Sequence, residues 1–203
     1  MTITGPDSWP DENHPIVAMV CSAGGLAALT TVVASLPASL PAAVITLQHL
    51  SPDHDSDLPT LLAARTALPV RAATDGELIE AGRVLVAPAA HHTLVTPDGR
   101  VALIPSGTLP PYRPSADLLL TTLAIAAGRR VIAAVLTGRG NDGATGASAV
   151  HRFGGTVLVS SAGTSTEQAM PQATVDRDPA VTQAMPLDEI AVFIVKRTTT
   201  PAR

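Results

Sequence analysis

Five short apolar runs alternate with five stretches of helical periodicity, and this alternation restricts the fold more than any other feature of the chain. The runs are Ile16–Val20, Ala43–Leu47, Arg83–Ala87, Val131–Leu136 and Thr156–Ser160. The helical stretches are Gly25–Leu36, Asp55–Thr66, Ser115–Ala127, Ala144–Phe153 and Leu187–Lys196. Several runs are apolar on both faces, as strands of a parallel sheet are when helices cover them. Between the third and fourth runs, "HTLVTPDGRVALIP" breaks the rhythm. Two short runs joined through Pro97-Asp98-Gly99 predict a β-hairpin. The expected fold is α/β: a doubly wound, mostly parallel sheet with helices on both faces and an antiparallel hairpin added.

Residues 15–197 are expected to form one domain between two flexible tails, 1–14 and 198–203. The first tail is mostly polar and holds Pro6 and Pro10, with Pro15 directly after it. It also contains Trp9, the only tryptophan. A chain of 203 residues, 46% apolar and 15% charged, can bury a sizeable core. Aromatics are 2% and the net charge is −4, with no basic run, which argues against a nucleic-acid surface. One cysteine allows no intrachain disulfide. The start has neither the basic segment nor the apolar core of a signal peptide, and no apolar run reaches the ~18 residues of a membrane span. A cytoplasmic protein that is not membrane-inserted is the expectation.

In open α/β sheets, ligands sit beyond the carboxyl ends of the strands. "CSAGG" follows the first strand, "QHL" the second, and "TGRGNDGATG" the fourth. One sheet edge is thus expected to carry Ser22, His49 and Asp142. Each has an ordinary alternative. Ser22 at the mouth of a helix reads as an N-cap, and it lacks the first glycine of the G-x-S-x-G elbow, since Val20 stands there. As a nucleophile it would gain from Gly24 and Gly25, which let a substrate approach the backbone beside free helix N–H groups. His49 alone reads as a structural residue, but histidine, with a pKa of about 6.5, can take a serine proton and return it to a leaving alcohol. Asp142 reads as a turn residue or as the group that orients the imidazole.

Cys21 is a rival nucleophile, but it alternates with Ser22 onto the opposite face and reads as a buried small hydrophobe. His54 is expected in a solvated loop. His91 and His92 are expected in a turn with no third ligand nearby, so no metal site is expected. In "RPSAD", Ser115 reads as a cap and Asp117 as a first-turn acid paired with Arg113; Arg113 could instead face a substrate. A phosphate cradle built from the two glycine loops is a weaker reading, because neither loop holds a lysine.

The ordered set "SAGG" (Ser22–Gly25), "QH" (Gln48-His49), "DGE" (Asp75–Glu77), "GRVLVAP" (Gly82–Pro88), "RPSAD" (Arg113–Asp117), "LTGRGNDGATG" (Leu136–Gly146) and "MP" (Met170-Pro171) resembles the catalytic domain of the CheB family of chemotaxis protein-glutamate methylesterases. The resemblance implies a Ser22, His49 and Asp142 triad that hydrolyses γ-glutamyl methyl esters, or deamidates glutamines, on a methylated chemoreceptor or similar methylated protein, without a cofactor. It implies an oxyanion and substrate region around Ala23, Gly24, Arg113 and Arg139. Ala23 stands where the family usually has Thr, and Arg139 where it usually has Met; Ala89 and Ala169 replace usual glycines. Fourteen residues ahead of the domain cannot hold the family's receiver domain, so a stand-alone domain is expected, with a separate receiver-domain regulator as a candidate partner. The alternative expectation is a catalytically impaired domain that serves as a signalling partner-binding module.

Overall fold

A computed structural model describes residues 9, 14–51, 56–107, 112–179 and 182–199 of the chain. His54 lies outside the described residues. The elements run β1 (Ile16–Cys21), α1 (Gly25–Ala34), β2 (Ala43–Gln48), α2 (Leu58–Ala63), β3 (Val70–Ala72), β4 (Arg83–Val86), β5 (His91–Val95), β6 (Val101–Pro105), α3 (Ala116–Ala127), β7 (Val131–Val135), α4 (Ala144–Arg152), β8 (Thr156–Ser160), α5 (Ala169–Arg177), β9 (Thr182–Met185) and α6 (Leu187–Thr199).

The seven-stranded sheet has the order β3-β4-β2-β1-β7-β8-β9, and every pairing in it is parallel. β1 is central and fully buried because it is apolar on both faces. Its alternate residues feed two separate cores. Ile16, Ala18 and Val20 pack toward Leu119, Leu120 and Leu123 of α3 and Val150 of α4. Val17, Met19 and Cys21 pack toward Leu29 and Val32 of α1 and Ile190 and Ile194 of α6. This is the doubly wound α/β architecture. The chain order reverses at β1, which has β2 on one side and β7 on the other. The crevice at the carboxyl end of that junction is where such sheets place ligands.

Boundaries shift where local chemistry ends an element early. α1 stops at Ala34, and its last N–H groups tighten at Ser35 and Leu36 ahead of Pro37. α2 begins at Leu58 rather than Asp55. β3, β9 and α5 are additional to the sequence expectation. β5 and β6 form the expected antiparallel hairpin, as a two-stranded sheet of its own, with Gly99 at φ 78° in its turn. His91 and His92 lie in β5 and not in the expected turn, because the hairpin register extends back to pair His91 with Pro105.

Three residues expected in the tails, Trp9, Thr198 and Thr199, are engaged in the fold. α6 continues through Thr199, and the buried Thr198 hydroxyl donates to the Ile194 carbonyl. Trp9, expected in a flexible tail, is only 3% exposed. Its ring packs against Gly99, where a Cβ would collide with the indole. The Arg130 guanidinium lies 4.5 Å from its centroid and His14 meets it edge-on at 5.9 Å. A large apolar ring covering the hairpin turn outweighs the disorder-prone composition around it. Trp9→Ala is therefore expected to lower stability by about 3 kcal/mol, read from denaturant unfolding followed by circular dichroism; an unchanged midpoint would show that this contact is not held in solution.

Candidate active site

Ser22 follows β1 directly, and the two readings of it are separated by the start of α1. The helix N-cap is Gly24, in the left-handed region at φ 79°, and no side chain caps it. Ser22 is thus not a capping serine. Its backbone N–H donates to the Thr137 carbonyl at 2.9 Å, bridging the ends of β1 and β7. Both glycines are required by close contacts. A Cβ on Gly24 would sit 2.7 Å from the Thr166 side chain, and one on Gly25 would collide with the Cys21 sulfur. Gly138 does the same across the crevice: a Cβ there would lie 2.8 Å from Ser22 Cβ and would overlap Met170 Sδ.

Cys21 is fully buried, with its thiol aimed at the Leu47 carbonyl, 3.6 Å away. Burial pushes the thiol far above its ordinary value, so it stays protonated and inert. The expected placement of Cys21 on the face opposite the site agrees with the structure.

His49 follows β2 by one residue, next to Ser22 in register, since Cys21 pairs with Gln48. Its N–H donates to the Cys21 carbonyl at 3.0 Å, which ties the two strand ends together. The ring nitrogen Nε2 is 2.9 Å from Asp142 Oδ2, and the His49 side chain is 11% exposed. Donation of Nε2–H to the carboxylate leaves the lone pair on Nδ1. Among the described residues no hydrogen bond joins the Ser22 hydroxyl to the imidazole. The structure therefore brings His49 and Asp142 into contact and sets Ser22 at the neighbouring strand end.

Asp142 is far more than a turn residue. Its Oδ1 accepts from the Ser115 hydroxyl at 3.1 Å and the Asp117 N–H at 2.9 Å; its Oδ2 accepts from the Ala116 N–H at 2.6 Å as well as from His49. The carboxylate thus sits on the first turn of α3, where helix N–H groups lack partners within the helix. Burial alone would push its pKa up. The hydrogen bonds from His49 and from the N–H groups of Asp117 and Ala116 outweigh that and hold it below the ordinary 3.8.

Asp117 answers in kind. The sequence places it as a first-turn acid of its own helix, paired with Arg113. The structure instead directs its Oδ1 to the N–H groups of Gly143 at 2.9 Å and Gly146 at 2.8 Å, on the first turn of α4. Each aspartate belongs to one helix start and satisfies the other. Close packing makes this exchange reachable: a Cβ on Gly146 would be 2.6 Å from Leu120 Cβ. Ser115 is the N-cap of α3, as expected, and its hydroxyl accepts from the Leu118 N–H.

The remaining candidates occupy the rim. Arg113 donates through Nη1 to the Gly107 carbonyl at 3.1 Å, and its own carbonyl accepts from the Leu50 N–H beside His49. The Arg139 side chain is 76% exposed and directs Nε and Nη2 to Glu167 Oε1 at 2.9 and 2.8 Å. The Ala23 carbonyl accepts from the Thr137 hydroxyl at 3.0 Å. Ala23 and Gly24 N–H groups donate no backbone hydrogen bond among the described residues. His92 Nδ1 accepts from the Ser115 N–H at 2.9 Å, which gives it a structural duty at the start of α3. Among the described residues no group of three or more His, Cys, Asp or Glu side chains is placed to hold a metal ion. No helix among them is long and apolar enough to cross a membrane.

Two residues outside the sequence expectation join the site. Glu167 anchors Arg139, and its N–H donates to the Thr137 hydroxyl at 2.9 Å. Tyr112 lies face to face with the His49 ring. Its signal was available: it is the only tyrosine of the chain, directly ahead of "RPSAD".

Comparison with known proteins identifies the family to which the chain belongs. The family model "CheB methylesterase" matches residues 17–194. A protein-glutamate methylesterase/protein-glutamine glutaminase of Symbiobacterium thermophilum is 34% identical over 89% of this chain and 50% of its own length. The protein-glutamate methylesterase FrzG of Myxococcus xanthus is 34% identical over 94% of this chain and 57% of its own. The chain thus spans about half the length of the curated relatives it matches. The crystal structure of the Thermotoga maritima CheB methylesterase catalytic domain superposes with a TM-score of 0.85 at 29% identity, covering 91% of this chain and 98% of that one.

Proposed function

Because the chain belongs to the CheB methylesterase family, we propose that it is a serine esterase that removes methyl groups from glutamate γ-esters of a signalling protein, with Ser22, His49 and Asp142 as its triad. The observation that carries this reading is the His49–Asp142 pair at 2.9 Å, at the strand end beside Ser22. Neither Ser22 as a helix cap nor Asp142 as a mere turn residue accounts for that arrangement.

The chemistry follows from the atoms. Ser22 Oγ attacks the ester carbonyl carbon while His49 Nδ1, the nitrogen left free by Asp142, takes the hydroxyl proton. The oxyanion is met by the N–H groups of Ala23 and Gly24 and by the backbone of the Arg139 loop. The carbon–oxygen bond to methoxide breaks, the proton passes from His49 to the leaving oxygen, and methanol departs. Water, deprotonated by His49, then attacks the acyl-serine and frees the glutamate and Ser22. Several relatives are also named protein-glutamine glutaminases. The same steps with ammonia as leaving group would give that reaction. A methylated chemoreceptor is the proposed substrate, and a separate receiver-domain protein is the proposed regulator. Ala23 lacks the hydroxyl of the family's usual Thr, but the N–H groups on which the proposed hole depends are present.

Labelling with a fluorophosphonate probe, read by intact mass, and methanol release from a methyl-esterified glutamyl peptide together test the reading. One adduct on Ser22 with methanol release is expected. A folded protein that takes no adduct and releases no methanol would overturn it.

A further inference from the structure

The imidazole of His49 is held along two directions, and only one of them belongs to the proposed triad. Its edge meets Asp142. Its face meets the Tyr112 ring, with centroids 5.4 Å apart and planes inclined by 24°. Tyr112 in turn is fastened to the loop that carries Asp142. Its hydroxyl donates to Asn141 Oδ1 at 3.0 Å and accepts from the Asn141 N–H at 3.4 Å. Gly140 makes room for it: any Cβ there would collide with the phenol, 2.6 Å from Cε1 and 2.8 Å from Cζ. Gly140 sits at φ 83°, a conformation glycine adopts without strain. Three consecutive residues thus set the ring from two sides. Gly140 admits the tyrosine, Asn141 grips its hydroxyl, and Asp142 grips the histidine.

We propose that Tyr112 is a positioning residue for the reaction, acting through His49. Three physical effects follow from the stack. The hydrogen bond to Asp142 fixes one edge of the imidazole but leaves it free to rock about that bond; an aromatic plane on its face removes that freedom. A π face also favours the imidazolium that forms when Ser22 gives up its proton. The phenol shields the stacked face of the imidazole from water. Misplacement of a catalytic group by about 1 Å can cost on the order of 10²-fold in rate. A ring that rocks falls in that range.

This inference rests on the triad reading, and its test separates the two. The rate constant of fluorophosphonate labelling reports Ser22 activation by His49 with little demand on substrate binding. Wild-type protein is expected to label, and Tyr112→Leu to label about 10- to 100-fold more slowly, with kcat for a methyl-esterified peptide falling alike and KM little changed. Tyr112→Phe, which keeps the face and loses the hydroxyl grip, is expected to recover most of that loss. In the His49→Ala background, Tyr112→Leu is expected to add no further loss. If wild-type protein labels but Tyr112→Leu labels equally fast, the positioning role is wrong and the triad stands. A rise in KM at constant kcat, or a further loss in the His49→Ala background, would assign Tyr112 to substrate contact instead and overturn the proposal. A wild type that does not label overturns both readings. Should Tyr112→Leu not fold, Tyr112→Met carries the test: it too removes the aromatic face, labelling slower by about 10- to 100-fold is expected, and an unchanged rate would overturn the proposal.

Discussion

Ser22→Ala is expected to abolish ester hydrolysis, with a fall in kcat of at least about 10⁴-fold, and His49→Ala is expected to match it. A serine hydroxyl is a weak nucleophile unless a base takes its proton as it attacks, so each residue is worth little without the other. The double variant should therefore be no slower than either single one. Folding should be nearly untouched by Ser22→Ala: the backbone bond to Thr137 and the glycines around it hold the loop, and α1 is capped without the hydroxyl. Methanol release and denaturant unfolding on the same samples check both halves. Turnover that survives in folded Ser22→Ala protein would remove Ser22 from the mechanism and leave the His49–Asp142 pair to be explained another way.

Asp142→Asn should injure both activity and stability. An amide keeps one oxygen acceptor and must turn its N–H₂ toward the donors of the other, either Ser115 and Asp117 at Oδ1 or Ala116 and His49 at Oδ2; in the second case two N–H groups face each other at the imidazole. The imidazole then loses the partner that keeps the proton on Nε2. A fall of about 10⁴-fold is expected, the size of the same exchange in a serine protease triad. Loss of charged acceptance at the start of α3 adds a stability cost of about 2 kcal/mol. The pH dependence has a definite sign. The folded-state pKa lies below the ordinary 3.8, so the carboxylate stabilises the fold at pH above 3.8, and that contribution disappears as the pH falls through the lower folded value. Wild-type protein should lose stability more steeply than Asp142→Asn in that acid range. Parallel acid-unfolding curves for the two proteins would show that the carboxylate is not held as the structure has it.

The legible parts of this molecule are those that depend on one strand end or one local pattern. The five apolar runs became five central strands because both faces of each are covered. The rule that parallel sheets carry function at their carboxyl ends places residues 22, 49 and 142 at one edge, where His49 meets Asp142 and Ser22 stands at the neighbouring strand end. β3, β9 and α5 were not legible. β3 has three residues and β9 four, too few to show a period, and α5 carries Pro171 in its first turn and a polar remainder. Trp9 was misplaced because composition near a terminus says nothing about where a single large ring can land. The role of Asp117 was invisible for another reason. Its partners lie 26 and 29 residues away, across an α3–α4 contact that no local rule predicts. Tyr112 stands out as the lone tyrosine ahead of "RPSAD", but its contacts do not, since its partners His49 and Asn141 are distant in the chain.

The exchange of carboxylates between α3 and α4 bears on how inactive relatives could be recognised. Asp142 is needed to seat one helix on another whether or not any ester is cleaved. A lineage that gave up catalysis would still be held to an acid at this position by the demands of folding. The Ser22 side chain carries no comparable structural obligation, because its backbone makes the anchoring bond to Thr137, whereas the His49 ring also bonds Asp142 and stacks on Tyr112. On the proposed mechanism, retention of Asp142 is therefore uninformative when active and silent members of such a family are sorted, and the fate of Ser22 is the clearer mark.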